Sequence, residues 1–300
     1  MEQLGMNDWS ERCTIGITSR DRADDLRHTL ERQQAIGLGH MRYIIIDDGS
    51  SDALAIRSLA EALPRCRFVR HNHPAGLVQR RQEMADMCAS EFIISLDDDS
   101  YFVDLTGIGE AIAGLDLNPR LGLLSFRIRQ VKPGETRTTN FLAGELPWFR
   151  GCGYLVRVSA FQEVGGYPSA YFYGAEESHL LRQFIRAGYG MRHVPGVVVE
   201  HRWSGRARDP WQMEYHFTRG QVVLKLLNEP MVIALLGIGK LLGSRMLGDR
   251  RWLLAHLKGA GSGLAAGWRH RGKYSQMSWK QWSALRRRIR SCQVPEIVEG

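Results

Sequence analysis

The stretch EFIISLDDDS, residues 91–100, sets a short apolar run directly against three aspartates. A run of this length, rich in β-branched and aromatic residues, reads as a buried strand, here 92–96. The same pattern recurs upstream. YIII (43–46) stops at Asp47-Asp48-Gly49-Ser50, and TIGIT (14–18) and CRFVR (66–70) are two further strands. Between them lie helical patterns at 22–35, 53–63 and 75–89. Strands separated by helices imply right-handed crossovers and a parallel sheet. Strands apolar on both faces imply a sheet covered on both sides. The predicted class is therefore α/β.

Ligands of open α/β sheets bind beyond the carboxyl ends of the strands, where both acidic clusters fall. In an extended chain Asp97 and Asp99 project to one side and can converge on one cation. Hard oxygen ligands of this kind suit Mg²⁺ or Mn²⁺ shared with phosphates. The alternative is an acidic turn, or a cap supplied by Asp99 or Ser100. Asp48 can accept a hydrogen bond from a nucleobase, or simply close an Asx turn. Further along, 121–128 and 153–158 read as strands, 131–140 as a turn-rich loop, and 176–187 as a helix closed by Gly188. Glu176 and Glu177 open that helix. They can include a general base, or merely complement the helix dipole. MRHV and VVVE are two short strands delivering His201, which is either a metal ligand or structural.

These segments, in this order, resemble the family-2 type of GT-A glycosyltransferases over roughly residues 13–220. The segments are TIGITSRDR, YIIIDDGSSD, NHPAGLVQRRQEMADMCASEFIISLDDDS, GCGYLVRVSAFQEVGGYP, YGAEESHLLRQFIRAGYG, VPGVVVEH and YHFTRGQVVL. The resemblance implies a GT-A fold, a Rossmann-like and mostly parallel sheet with flanking helices. It implies sugar transfer from a nucleotide-diphosphate donor, UDP or dTDP, to a hydroxyl acceptor, with inversion and a divalent metal, Mn²⁺ or Mg²⁺. It places Thr18, Asp48, Arg81, Asp97 and Asp98 at the nucleotide-sugar. Asp97, Asp99 and His201 fall at the metal, Glu177 at the base position with Glu176 beside it, and Trp148 and His179 on the acceptor side. The chain departs from the family pattern at His179, usually acidic, at Gln183, usually Arg, and at Gln82, usually Asn.

Other classes fit less well. A dinucleotide-dependent dehydrogenase needs a glycine-rich turn after its first strand, and the chain has TSRDRADDL there. A sugar nucleotidylyltransferase also wants a glycine-rich phosphate loop at that place. A binding module that has lost catalysis would have no need of Glu177.

The charge divides the chain. Residues 1–201 hold 22 Lys+Arg and 26 Asp+Glu, a net −4, whereas 202–300 hold 18 and 6, a net +12. A boundary near 205 separates a catalytic domain (1–205, with a nucleotide-sugar half at 13–100 and an acceptor half at 101–205) from a basic, mainly helical appendage (206–300). The longest uncharged stretch, PMVIALLGIG at 230–239, is well short of the roughly 20 apolar residues that span a bilayer. WLLAHLKGAGSGLAAGWRHRGK (252–273) and RRRIR (286–290) mix Trp, Leu and cations. That composition suits helices lying on an anionic membrane surface, or a homodimer interface. No helix-turn-helix, zinc or RNP motif points to nucleic acid. The five cysteines lack metal-ligand spacing and read as free thiols in a reducing compartment. The N-terminus lacks a signal-peptide pattern. The expected location is the cytoplasm, peripheral to the membrane.

Overall fold

The computed structural model describes residues 6–132, 134–139, 144–145, 149–204, 209–291 and 296–299. A short helix α1 (Met6–Arg12) leads into β1 (Cys13–Ser19), α2 (Ala23–Ala35), β2 (Arg42–Asp47), α3 (Ala53–Glu61), β3 (Cys66–Arg70), α4 (Leu77–Met87) and β4 (Phe92–Asp97). These four strands are parallel, in the order β3-β2-β1-β4. The register aligns Thr18 with Asp97 and Ser19 with Asp47. The acidic strand ends therefore finish level with one another, along one edge of the sheet.

The second half is antiparallel and mixed. It runs β5 (Ser100–Leu105), α5 (Ile108–Leu117), β6 (Leu121–Lys132), β7 (Glu135–Thr139), the two-residue β8 (Gly144–Glu145), β9 (Gly153–Arg157), α6 (Val158–Glu163), α7 (Glu176–Ala187) and β10 (Gly190–Arg202). β9 pairs antiparallel with both β4 and β6, while β10 pairs parallel with β6 and antiparallel with β5. Ser100 opens a strand, so the alternative of a cap at Asp99 or Ser100 does not hold. Two local readings are corrected. Residues 131–140, expected as a loop, belong largely to a β6–β7 hairpin that turns at Gly134, φ +78°. The alternating Thr136 and Thr138 supply the β-branched pattern that the turn residues obscured. The two strands expected before His201 are one strand, β10, whose register shifts across Pro195 and Gly196. Proline cannot donate to the ladder, so the strand bulges there instead of ending.

Side chains of each parallel strand alternate between two cores. Ile15, Ile17, Tyr43, Ile45, Phe92 and Ile94 meet Leu26 and Leu30 of α2 on one face. Ile44, Ile46 and Ile93 meet Val78 and Met84 of α4 on the other, in a cluster that continues into Leu180 and Phe184 of α7.

The appendage is helical: α8 (Pro210–Asn228), α9 (Met231–Met246), α10 (Leu253–Arg271) and α11 (Trp279–Ser291), followed by a terminal strand β11 (Glu296–Glu299) paired with β7. Asp209 caps α8 by accepting from Trp211 N at 2.8 Å, with Pro210 at the first helical position. Val223, Leu224 and Leu227 of α8 complete the second core. α10 lies close on α8 through buried Gly263 and Gly267, where an added Cβ would meet Val222 at 2.9 Å and Leu226 at 2.7 Å.

His179 joins the sheet-bearing half to α8. Its Nδ1 lies 3.1 Å from Asn228 Nδ2, and its ring contacts Tyr171 and Tyr274. Burial, with Arg182 adding to it, holds its pKa down to about 3. Burial likewise holds His193 down to about 4. An unfolded histidine titrates near about 6.5. Below that pH the unfolded chain takes up protons that the folded chain refuses. The stability these residues contribute is present above about pH 6.5 and drains away as the pH falls toward 4, by up to about 1.4 kcal/mol per pH unit for each group. Glu176, Asp98 and His201 titrate with the opposite sign whether or not His179 is present, so the effect is read by difference: in urea unfolding, the unaltered protein should lose more stability than His179→Gln between pH 6.5 and 5.5. Identical pH dependence in the two proteins would contradict it.

Candidate active site

The carboxyl ends of β1, β2 and β4 open on a cavity of about 690 Å³. Thr18, Asp48, Asp97 and Asp98 line its sheet side, and Phe172, Gln212 and His216 face them. His216 stacks on Phe172 with ring centroids 4.3 Å apart. A second cavity of about 280 Å³ is lined by Arg81, Cys152, Glu176, Glu177 and Arg137. Asp97, His201, Leu77 and Tyr173 belong to both cavities. Asp97 and His201 thus stand where the two spaces meet.

The three aspartates do not act as one extended face. β4 ends at Asp97, whose N–H donates to Ser100 Oγ at 2.7 Å, and the chain turns through Asp98 and Asp99. Asp97 Oδ1 accepts from Arg81 Nη2 at 2.7 Å. Asp98 pairs with Arg22 Nη1 at 2.7 Å and accepts from Ser19 Oγ at 2.9 Å. Burial, opposed by Arg22, pushes its carboxyl up. Asp99 accepts from Arg22 Nη2 at 2.5 Å and lies 3.1 Å from His201 Nε2. The turn explains the departure from the expected Asp97–Asp99 convergence: two residues apart share a side only while the backbone stays extended.

Asp48 lines the large cavity, but its carboxylate has close donors. It accepts from the N–H of Ala75 and of Gly76, each at 2.8 Å, and from Arg80 Nε at 2.6 Å. Gly76 has φ +92°, and a Cβ there would meet Phe172 at 2.7 Å. Asp48 therefore fixes the loop that enters α4, which in turn aims Arg81.

Arg81 is buried and joins three elements. Besides Asp97 it donates to Gly151 O at 2.9 Å and to Glu176 Oε1 at 3.2 Å. Burial first, then the neighbouring Glu177, push Glu176 up to about 8 against the pull of Arg81. Glu177 faces the smaller cavity, and its Oε1 accepts from Gly151 N at 3.1 Å. Ala175 precedes the pair with φ +71°, a left-handed conformation that an alanine adopts only under constraint.

His201 sits beside Cys152, 6% exposed, and Asp97. Their nitrogen, sulfur and oxygen atoms all lie within 4.8 Å of one another. Burial favours neutral imidazole, but Cys152 and Asp99 outweigh it and hold His201 up to about 11. The arrangement fits a divalent cation: three ligating atoms converge, and Asp99 behind His201 fixes the ring as an outer carboxylate does in many metal sites.

Two expected residues lie elsewhere. His179 is completely buried, lines neither cavity and so is withdrawn from the acceptor side; its departure from the family pattern reflects the apolar packing already described. Trp148 lies outside the described residues. The sequence reading missed Arg22 and Cys152. For Arg22 a signal existed, since a cation at the start of a helix opposes the dipole and asks for a buried acidic partner. Cys152 carried none, because its neighbours are distant in sequence.

Residues 14–165 match the model of the family described as Glycosyl transferase family 2. A comparison with curated proteins finds no sequence match. In structure, the chain is similar to the mannosyltransferase PcManGT from Pyrobaculum calidifontis, solved in complex with GDP-Man and Mn²⁺. The TM-score is 0.55 at 15% identity, over 93% of this chain and 80% of that one. It is also similar to S. aureus TarS 1-349 in complex with UDP-GlcNAc, at TM-score 0.58 and 13% identity, over 85% and 81%. Similarity to GalNAc-T7 with UDP, GalNAc and Mn²⁺ reaches TM-score 0.57 at 13% identity, over 73% of this chain and 48% of that one. At such identities these likenesses establish the GT-A fold. The family match, which spans half of the chain and includes β1, β2 and β4 with Thr18, Asp48 and Asp97 at or just past their ends, establishes the kinship: the protein belongs to glycosyl transferase family 2.

Proposed function

We propose that the protein transfers a sugar from a nucleotide-diphosphate donor, UDP- or dTDP-linked, to a hydroxyl acceptor with inversion at the anomeric carbon. The observation that carries this reading is the junction of the two cavities at Asp97 and His201, with Glu177 on the smaller side only. The donor occupies the larger cavity and the acceptor hydroxyl enters the smaller one. Nucleotide sugars in the structures of PcManGT and TarS support a donor of this class.

Asp97 and His201 would hold a divalent cation, Mn²⁺ or Mg²⁺, which when bound neutralises charge on the departing diphosphate. Asp99 orients His201. Glu177 takes the acceptor proton as the oxygen attacks, and Gly151 N–H keeps its carboxylate in place. Glu176, held by Arg81, is a positioning residue. One base, with no second nucleophile assigned, gives a single displacement.

Glu177→Gln should leave donor binding intact and slow transfer by about 10²–10⁴-fold, the scale of lost general-base catalysis. Asp97→Ala should abolish the metal-dependent part of nucleotide binding seen by calorimetry. Unchanged turnover in Glu177→Gln, with turnover lost in Glu176→Gln, would transfer the base role to Glu176. A protein that binds the donor but transfers nothing under any of these conditions would be a binding module.

We further infer that the helical region, residues 206–300, is an accessory to the catalytic half that rests on an anionic membrane surface at its cytoplasmic face. Among the described residues no helix is long and apolar enough to cross a membrane. Two outward stripes support lateral docking. α9 exposes Val232, Leu235, Leu236 and Met246, and α10 exposes Leu254, Leu257, Leu264 and Trp268. The spacing of each is helical and solvent-facing, opposite to the buried Ala234, Ile238, Gly263 and Gly267. Residues 231–271 carry seven Lys and Arg against the single acid Asp249. Each cation near an anionic bilayer contributes about 1 kcal/mol. A glycolipid or other membrane-proximal acceptor would suit this placement. The full-length chain should sediment with phosphatidylglycerol vesicles at low salt and release partly at high salt, and Leu235→Glu with Trp268→Glu should stay in the supernatant. If the unaltered protein stays in the supernatant and those substitutions convert a dimer to monomer, the stripes form a homodimer interface instead.

A further inference from the structure

Cys152 is the residue of the site that neither the donor reading nor the base reading uses. It sits in a Gly151-Cys152-Gly153 segment held from both sides. The Gly151 carbonyl accepts from Arg81 and from Ser95 Oγ, and its N–H donates to Glu177. Gly153 pairs with Leu96 at the end of β4, and a Cβ on it would press on Val199 at 3.3 Å. Cys152 is therefore fixed next to the residue that ends β4, Asp97, and across from His201 of β10. Cys152 shares the first apolar core with Cys13, while Cys66 and Cys88 pack against one core or the other. What sets Cys152 apart is its company: none of the other three described cysteines falls in a group of three ligating side chains, and burial raises their thiols. Among the described residues, the group Asp97, Cys152 and His201 is the one set of three His, Cys or acidic side chains with ligating atoms this close.

We propose that Cys152 Sγ joins Asp97 and the His201 imidazole as a ligand of the active-site cation, and so makes the enzyme discriminate against Mg²⁺ in favour of transition ions, Co²⁺ more strongly than Mn²⁺. The inference rests on reading the larger cavity as a nucleotide-sugar site. Mg²⁺ demands a near-octahedral shell of oxygens and parts with water reluctantly. A shell with one nitrogen and one sulfur favours ions later in the first transition row. The thiol proton leaves to solvent as the sulfur–metal bond forms, because the thiolate is the ligand. Transfer chemistry itself is unchanged: Glu177 stays the base, and Cys152 sets which ion serves.

The test is spectroscopic and needs no turnover. Full-length protein saturated with UDP is titrated with Co²⁺, with calorimetry in parallel. A sulfur-to-cobalt charge-transfer band in the near ultraviolet should rise with the calorimetric binding isotherm. It should vanish in Cys152→Ser and persist in Cys88→Ser. Loss of an outer-shell partner alone costs about 10–100-fold in metal affinity, so loss of the ligating sulfur in Cys152→Ser should weaken Co²⁺ binding by about tenfold or more and leave Mg²⁺ binding, which gains little from sulfur, nearly unchanged. Nucleotide-dependent Co²⁺ binding without the band in the unaltered protein overturns the proposal and leaves the donor reading standing. The same follows if the band survives in Cys152→Ser. Absence of any nucleotide-dependent metal binding overturns both. The band in the unaltered protein is decisive even if the serine variant folds poorly.

Discussion

The buried guanidinium of Arg81 is the constraint on which the site depends. It ties the end of β4 through Asp97, the strand-entry segment through Gly151 and the start of α7 through Glu176. A charge taken out of water is costly, and it is tolerated only where good geometry and further hydrogen bonds compensate. Here the compensation comes from elements far apart in the chain. None of the three can shift without exposing a buried charge to an apolar surrounding. The guanidinium suits this role because its planar fork presents several donors in fixed directions, which a lysine would not.

That clamp explains why one site can be built from different halves of the fold. The parallel half supplies level strand ends, and the antiparallel half supplies β10 and the turn entering β9, which carry His201 and Cys152 to the same place. Arg22 is a second clamp beside the first. It pairs with Asp98 and Asp99 and so holds the turn that separates Asp97 from its neighbours. With Asp98 and Asp99 occupied in this way, Asp97 is the aspartate of the triplet that reaches both cavities.

α8 couples the sheet-bearing half to the other C-terminal helices. One face of it closes the larger cavity through Gln212 and His216, and its apolar face completes the second core. α10 then packs on α8 through glycines, which allows close helix contact and turns its leucines and Trp268 outward. The outer helices and the larger cavity therefore share one helix.

The sequence by itself determined the alternation of strand and helix, the acidic strand ends, the Glu176-Glu177 pair at a helix start and the uneven charge. Each of these is local: a periodicity, a turn chemistry or a count within a window. The resemblance to a known family carried the order of segments further, to the GT-A fold. Tertiary structure alone decided the rest. It set Asp97 apart from Asp99, because a turn stabilised by Ser100 and Arg22 interrupts the extended chain. It withdrew His179 into a core, because Asn228 and two aromatic rings from other elements surround it. It also brought Cys152 beside Asp97 and His201, some fifty residues away on either side. Such contacts depend on sheet order and on burial, and no window of sequence contains either.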